Sequence, residues 1–218
     1  MQANSYKRSH ALASDRLAAQ LRFIVEIDKV KGVFRQTLLI DKSRLENDAE
    51  HSWHLAVMAV LLAEYASDKG LDLLRVVKMV LVHDLVEIDA GDTYIYDEAG
   101  MKDKAERELA AADRVFGLLP PDQGAEVRGL WEEFEARDTP EAQFAAALDR
   151  LQPLLHNYHT QGAQWLKHGV TADRVLAVNR TMAAGAPELW AFAEQLIHDA
   201  VRKGYLAGDP ALEQDKTT

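Results

Sequence analysis

Apolar residues return at three- and four-residue intervals along nearly the whole chain, and no stretch alternates between apolar and polar with period two. A period near 3.6 buries one face of a helix, so the pattern predicts an all-α fold. A first helix is predicted to start at Ser14 as N-cap, to place Leu17, Leu21, Ile24 and Ile27 on one face, and to lose its pattern near Gly32. Gly32 to Asp48 reads as a loop. A second helix is expected over Glu50 to Ser67 and a third from Asp72 through Val76, Val80 and His83 to about Ile88, with Gly70 as the stop between them. Gly91 and Gly100 bracket a polar segment, followed by a charged surface helix over Lys102 to Phe116 that ends at Gly117 and Pro120-Pro121. Asp122 is the expected cap of the next helix, and Thr139-Pro140-Glu141 combines a capping hydroxyl, a first-turn proline and an acid at the positive end of the helix dipole. Thr171 and Pro187 open two more helices, ending near Val178 to Met182 and at Gly204. With no break in composition and no internal repeat, the 218 residues are expected to form one domain. Its core would span about 14–182 and a C-terminal helix about 187–204, with a frayed tail from Gly208.

The chain has no cysteine, which excludes disulfides, thiolate zinc sites and cysteine nucleophiles together. Any metal must be held by His, Asp or Glu. With 25 Lys and Arg against 35 Asp and Glu, the formal net charge of −10 argues against a nucleic-acid polymer as partner. The longest apolar run, Leu55 to Ala63, is far short of the roughly 20 residues that cross a bilayer, so no membrane partner is expected. The polar start carries no secretory pattern, and a cytoplasmic location is the expectation.

His83-Asp84 closes a helix that is otherwise Val, Leu and Met. A buried carboxylate without compensation costs several kcal/mol, so Asp84 should be paired, exposed or metal-bound, and the metal option also employs His83. Neighbouring helix residues point about 100° apart, so both reach a cation only in a groove between helices. Two further ligands would come from other helices. His51 and Asp149, the latter in Ala145-Ala-Ala-Leu-Asp-Arg-Leu, are the natural candidates, and Pro153 should bend the helix just beyond Asp149. Glu87 lies three residues after Asp84 and four after His83, on their side of the helix and placed for proton transfer. Arg44, seven residues before His51, could clamp phosphate oxygens, since no glycine-rich phosphate loop is present. His54 reads as a packing or ligand-supporting residue, His156 as a pocket wall or a hydrogen-bonded residue past the bend. Trp53, Trp131 and Trp165 read as core or interface anchors, and the charge run from Lys102 to Glu108 as a solvated face without function.

The set His51, His83-Asp84, Asp149 resembles the signature of HD-domain metal-dependent phosphohydrolases. Two longer blocks, Arg44-Leu-Glu-Asn-Asp-Ala-Glu-His51-Ser and His83-Asp84-Leu-Val-Glu87-Ile-Asp-Ala-Gly-Asp92, resemble the 5′-deoxynucleotidase branch over roughly residues 20 to 160. The resemblance implies an HD-domain helical bundle with its metal site between helices. It makes His51, His83, Asp84 and Asp149 the metal ligands and Glu87 and Asp92 catalytic carboxylates, with Arg44 on the substrate phosphate and Lys31 or Arg35 standing in for more distant basic residues. The implied activity is removal of phosphate from (deoxy)nucleoside 5′-monophosphates, a divalent ion binding both the phosphate and an attacking water. No histidine lies between Asp84 and Asp149, so a single divalent metal ion is expected, one of Mn, Co, Fe, Ni, Zn or Mg. A homodimer is expected from the resemblance and the apolar C-terminal helices. The alternatives are an HD hydrolase of a nucleotide polyphosphate or cyclic dinucleotide, and a catalytically silent helical protein tied together by its metal.

Overall fold

In the computed structural model, which describes residues 14–208, helix follows helix. Ser14 caps α1 (Asp15–Glu26), its Oγ accepting from the Leu17 N–H at 3.3 Å, and a 3-10 turn over Ile27–Gly32 follows. The polar start of the chain and the tail after Gly208 lie outside the described residues. α1 buries Ala18 and Phe23, whereas the expected stripe of Leu17, Leu21 and Ile24 is exposed. Polar contacts turn the helix: Arg16 pairs with Asp122 at 2.7 Å and Gln20 bonds Gln123 at 2.6 Å, so the face holding residues 16, 20 and 23 meets the body.

The segment expected to be a loop contains an antiparallel hairpin, β1 (Phe34–Leu38) and β2 (Leu45–Asn47), with Phe34 opposite Asn47. Main-chain pairing holds it, and Thr37 is the one buried side chain of β1, so there is no period-two apolar pattern to detect. α2 (Asp48–Leu62) starts earlier than expected, at an Asn47–Glu50 capping box, and gives way to a 3-10 turn at Ala63–Tyr65 before reaching Ser67. Asp72 caps α3 (Leu73–Val82). The predicted continuation to Ile88 is broken: His83–Val86 tightens into a 3-10 turn, and α4 (Glu87–Ala90) follows, stopped by Gly91 at φ 75°.

α5 (Lys104–Phe116) leads to α6 (Pro121–Ala136), which takes Pro120 as its cap and Pro121 at its first position, displacing Asp122 into the first turn. Thr139 caps α7 (Pro140–His159) as expected, and Pro153 lies inside it. α8 (Ala163–Lys167), α9 (Ala172–Asn179), α10 (Met182–Gly185) and α11 (Pro187–Arg202) complete the chain. The larger core joins α2, α3, α7 and α11 through Leu55, Met79, Phe144, Leu148 and Ile197. A second cluster, with Phe23, Val86, Phe116 and Trp131, lies under α1 and α5. Trp131 and Trp165 are buried as expected, but Trp53 is 64% exposed. Among the described residues no helix is long and apolar enough to cross a membrane.

α10 crosses α7 at Gly185, where a Cβ would fall 2.1 Å from the Gln143 carbonyl oxygen. Gly129, inside α6, has open space at the same position. Gly185→Ala is therefore expected to destabilise the protein by about 2–3 kcal/mol, since backbone must move. Gly129→Ala should stabilise it by about 0.5–1 kcal/mol. Urea denaturation of the two variants checks the contrast.

Candidate metal centre

His51 sits one turn into α2 and is fully buried, its Nε2 3.0 Å from Oδ1 of Asp149 on α7. His83 and Asp84 occupy the 3-10 break after α3, which turns both toward that pair. The His83 Nδ1 lies 2.9 Å from the Val80 carbonyl and donates to it, so Nε2 is the nitrogen that faces the site. That Nε2 is buried without a hydrogen-bond partner, yet it stands 3.1 Å from Asp84 Oδ1 and 3.9 Å from Asp149 Oδ1. A ring nitrogen buried among carboxylate oxygens needs a proton or a metal ion between them. His51, His83 and Asp149 each offer a ligand atom within 4.8 Å of the others, and Asp84 Oδ2 lies 4.0 Å from His51 Nε2. Imidazole and carboxylate donors so converged fit one divalent transition ion. All four residues singled out from the sequence come together.

Three further residues at the centre had no role assigned from sequence, or only a marginal one. Arg35, on β1, places Nη1 2.8 Å from Asp84 Oδ2 and 3.5 Å from Asp48 Oδ1, and Nη2 3.9 Å from Asp149 Oδ1. Glu46, on β2, faces the outer nitrogen of His51, with Oε2 3.7 Å from Nδ1. Asp48, at the start of α2, is fully buried beside Arg35. Glu46 and Asp48 lie inside the Arg44–Ser52 block, where acids at alternate positions before a histidine were the available signal. Arg44 itself is not at the centre. It makes a two-pronged pair with Glu50, at 2.8 and 2.5 Å, on the outer face, because the hairpin points residues 44 and 46 to different surroundings. Lys31 pairs with Asp28 on the surface.

Charge at the centre is set by burial and mutual compensation. Burial opposes ionisation of Asp84, but the neighbouring His83 and Arg35 outweigh it and hold the carboxyl well below its usual range. Burial and Arg35 oppose protonation of His51, yet its contacts with Asp149 and Glu46 raise it to about 9 in the metal-free protein. Burial, followed by the charges of Asp84 and Asp48, pushes Glu87 well above the carboxylate range, and burial also raises Asp92. Both carboxylates line a cavity of about 350 Å³ that opens beside Arg35, Asp84 and Asp149 and is walled by Tyr94, Phe134 and Trp165. Lys104 and Glu108, expected on a solvated face, form an ion pair at its edge, with Glu108 buried. His156 is buried outside the cavity. Its Nδ1 lies 2.9 Å from the Leu38 carbonyl and its Nε2 accepts from the Gln152 amide, which also reaches Glu46 at 2.6 Å and His54 at 3.3 Å.

Residues 27–190 match the family described as HD domain. The 5′-deoxynucleotidase HDDC2 of Xenopus laevis is 31% identical over 140 residues, covering 64% of this chain and 64% of that protein. The human protein of the same name is 32% identical over 64% of this chain and 63% of its own length. The match thus spans just under two thirds of these relatives. A crystal structure of a "predicted metal-dependent phosphohydrolase" from Magnetospirillum magnetotacticum is 61% identical, covers 88% of this chain and 96% of that one, and superposes with a TM-score of 0.85. With three quarters of the chain inside the family match and the metal-binding geometry formed by its own side chains, the protein belongs to the HD domain family.

Proposed function

We propose that this protein is a metal-dependent phosphohydrolase that removes phosphate from (deoxy)nucleoside 5′-monophosphates. The observation that carries the reading is the convergence of His51, His83, Asp84 and Asp149 beside a cavity lined by the last three together with Arg35, Glu87 and Asp92. A metal needed only for structure would have no use for the cavity or the two carboxylates. The names of the relatives support the nucleotide substrate, and the cavity falls in the range of roughly 300–1,000 Å³ typical of small-molecule sites.

A divalent ion held by those four residues would supply Lewis acidity to the phosphoryl oxygens and lower the pKa of water. The protein's own groups do the rest. Arg35 Nε is buried without a partner, and the guanidinium, fixed by Asp84 and Asp48, presents positive charge to the phosphate. Glu87, its carboxyl raised by burial and its Oε2 buried and unpartnered, is placed to give a proton to the leaving sugar oxygen as the P–O bond breaks. Asp92 exchanges protons at the same wall. Tyr94, Phe134 and Trp165 give the nucleoside an apolar, aromatic bed. Glu46 orients His51 from behind, as carboxylates commonly do for metal-bound histidines. A cytoplasmic homodimer completes the reading, supported by the exposed apolar row of Trp53, Val57, Val60 and Leu61 on α2.

The test is to strip the protein with chelator, reload it with Mn, Co, Mg or Zn, and assay phosphate release from ribo- and deoxyribonucleoside 5′-monophosphates. Release is expected with at least one ion and absent from Asp84→Asn, which should also lose the metal. Release by metal-free Asp84→Asn would overturn the reading, and silence with every ion would transfer it to another phosphorylated substrate. Metal binding has a proton signature as well. His51 titrates at about 9 in the metal-free protein, so at pH 7 it carries a proton that must leave before Nε2 can bind an ion. Apparent metal affinity is expected to rise about tenfold per pH unit from pH 7 to 8 and to level off above about 9. Calorimetry in buffers of different ionisation enthalpy should show about one proton released per ion near pH 7.

A further inference from the structure

A helix that ends in the left-handed conformation is usually closed by glycine, because a Cβ there crowds the backbone. α6 ends that way at Arg137, with φ 56°. Its backbone explains no such choice, since its N–H bonds Glu133 and its carbonyl accepts from Gln143, as glycine's would. The side chain lines the cavity described above, and so does that of Arg150, the residue after Asp149 on α7. Both have a buried Nε without a partner, and neither guanidinium joins an ion pair or hydrogen bond among the described residues.

Arg16, Arg75, Arg114 and Arg128 each find a carboxylate even at the surface, and the other described arginines without one, Arg22 and Arg180, do not line the cavity. Burial and the like charge of Arg137 work against the Arg150 cation, while the neighbouring Asp149 favours it. Glu108 is paired with Lys104 and Asp149 with His51, and Glu135, which also lines the cavity, is paired with neither arginine. Two unpaired guanidiniums sharing one cavity wall lack a single thing, an anion that bridges them.

We propose that Arg137 and Arg150 form a subsite for a second phosphate carried by the substrate, beyond the one held at Arg35, so that a nucleoside 3′,5′-bisphosphate is preferred to the simple 5′-monophosphate. The inference rests on the nucleotidase reading, which places the first phosphate. Only the 5′ bond is cleaved, and the second phosphate serves for binding.

Metal-loaded wild type, Arg137→Gly and Arg150→Gln would be compared on adenosine 3′,5′-bisphosphate and adenosine 5′-monophosphate. Glycine suits the backbone at 137, so Arg137→Gly should keep the wild-type melting temperature. The expected result is a kcat/KM ratio, bisphosphate over monophosphate, above one in wild type and about tenfold lower in each variant. A ratio that neither substitution changes overturns the subsite. If wild type hydrolyses neither compound, the nucleotidase reading fails by itself, and calorimetric titration with the bisphosphate decides the subsite: binding about tenfold weaker in Arg137→Gly supports it, equal binding removes it.

Discussion

Asp48, Asp84 and Asp149 cannot be withdrawn from water side by side unless positive charge is withdrawn with them. Arg35 supplies part of that charge, touching Asp84 and lying within 4 Å of the other two. His51 and His83 place ring nitrogens against the carboxylates, where a proton or a metal ion can bridge them. The rest of the structure follows from keeping these groups together. Each comes from a different element, so β1, α2, the turn after α3 and α7 must hold fixed positions around one point.

The packing meets that demand. α7 is buried along most of its length and packs against α2, α3, α10 and α11, so Asp149 projects from a helix held on several sides. Close approach of α10 at Gly185 braces the same helix from behind. On the opposite side, His83 and Asp84 diverge as neighbours on any helix do, and both reach the site because it lies in the groove between their turn, α2 and α7. Local 3-10 geometry and Gly91 then bring Glu87 and the following Asp92 to the same wall. The raised carboxyls of Glu87 and Asp92 have the same origin as the depressed Asp84: burial opposes ionisation of all three, and the nearby His83 and Arg35 outweigh it at Asp84.

The four convergent ligands were legible because acids and histidines in apolar helices have few other reasons to be there. Arg35 was less legible: a lone arginine in a short segment reads as an ordinary surface charge until the hairpin folds over the site. Arg44 misled for the opposite reason. Its position in the motif was right, but it lies in the bend just before β2 and pairs with Glu50 outside, while Glu46, within the strand, faces His51. Lys104 and Glu108 show the same limit, since an i,i+4 pair is identical in sequence whether solvent or a cavity lies over it.

By itself, the sequence determined the helical class, the caps at Ser14 and Thr139, the start of a helix at Asp72, and the candidate metal ligands, because periodicity, capping and isolated buried charge are local properties. Only the tertiary structure decided which face of α1 is buried, where the third helix breaks, and which arginine meets the carboxylates. Those outcomes depend on neighbours distant in the chain, Asp122 for Arg16 and Asp84 for Arg35, whose charges reward one arrangement in space without marking the local pattern.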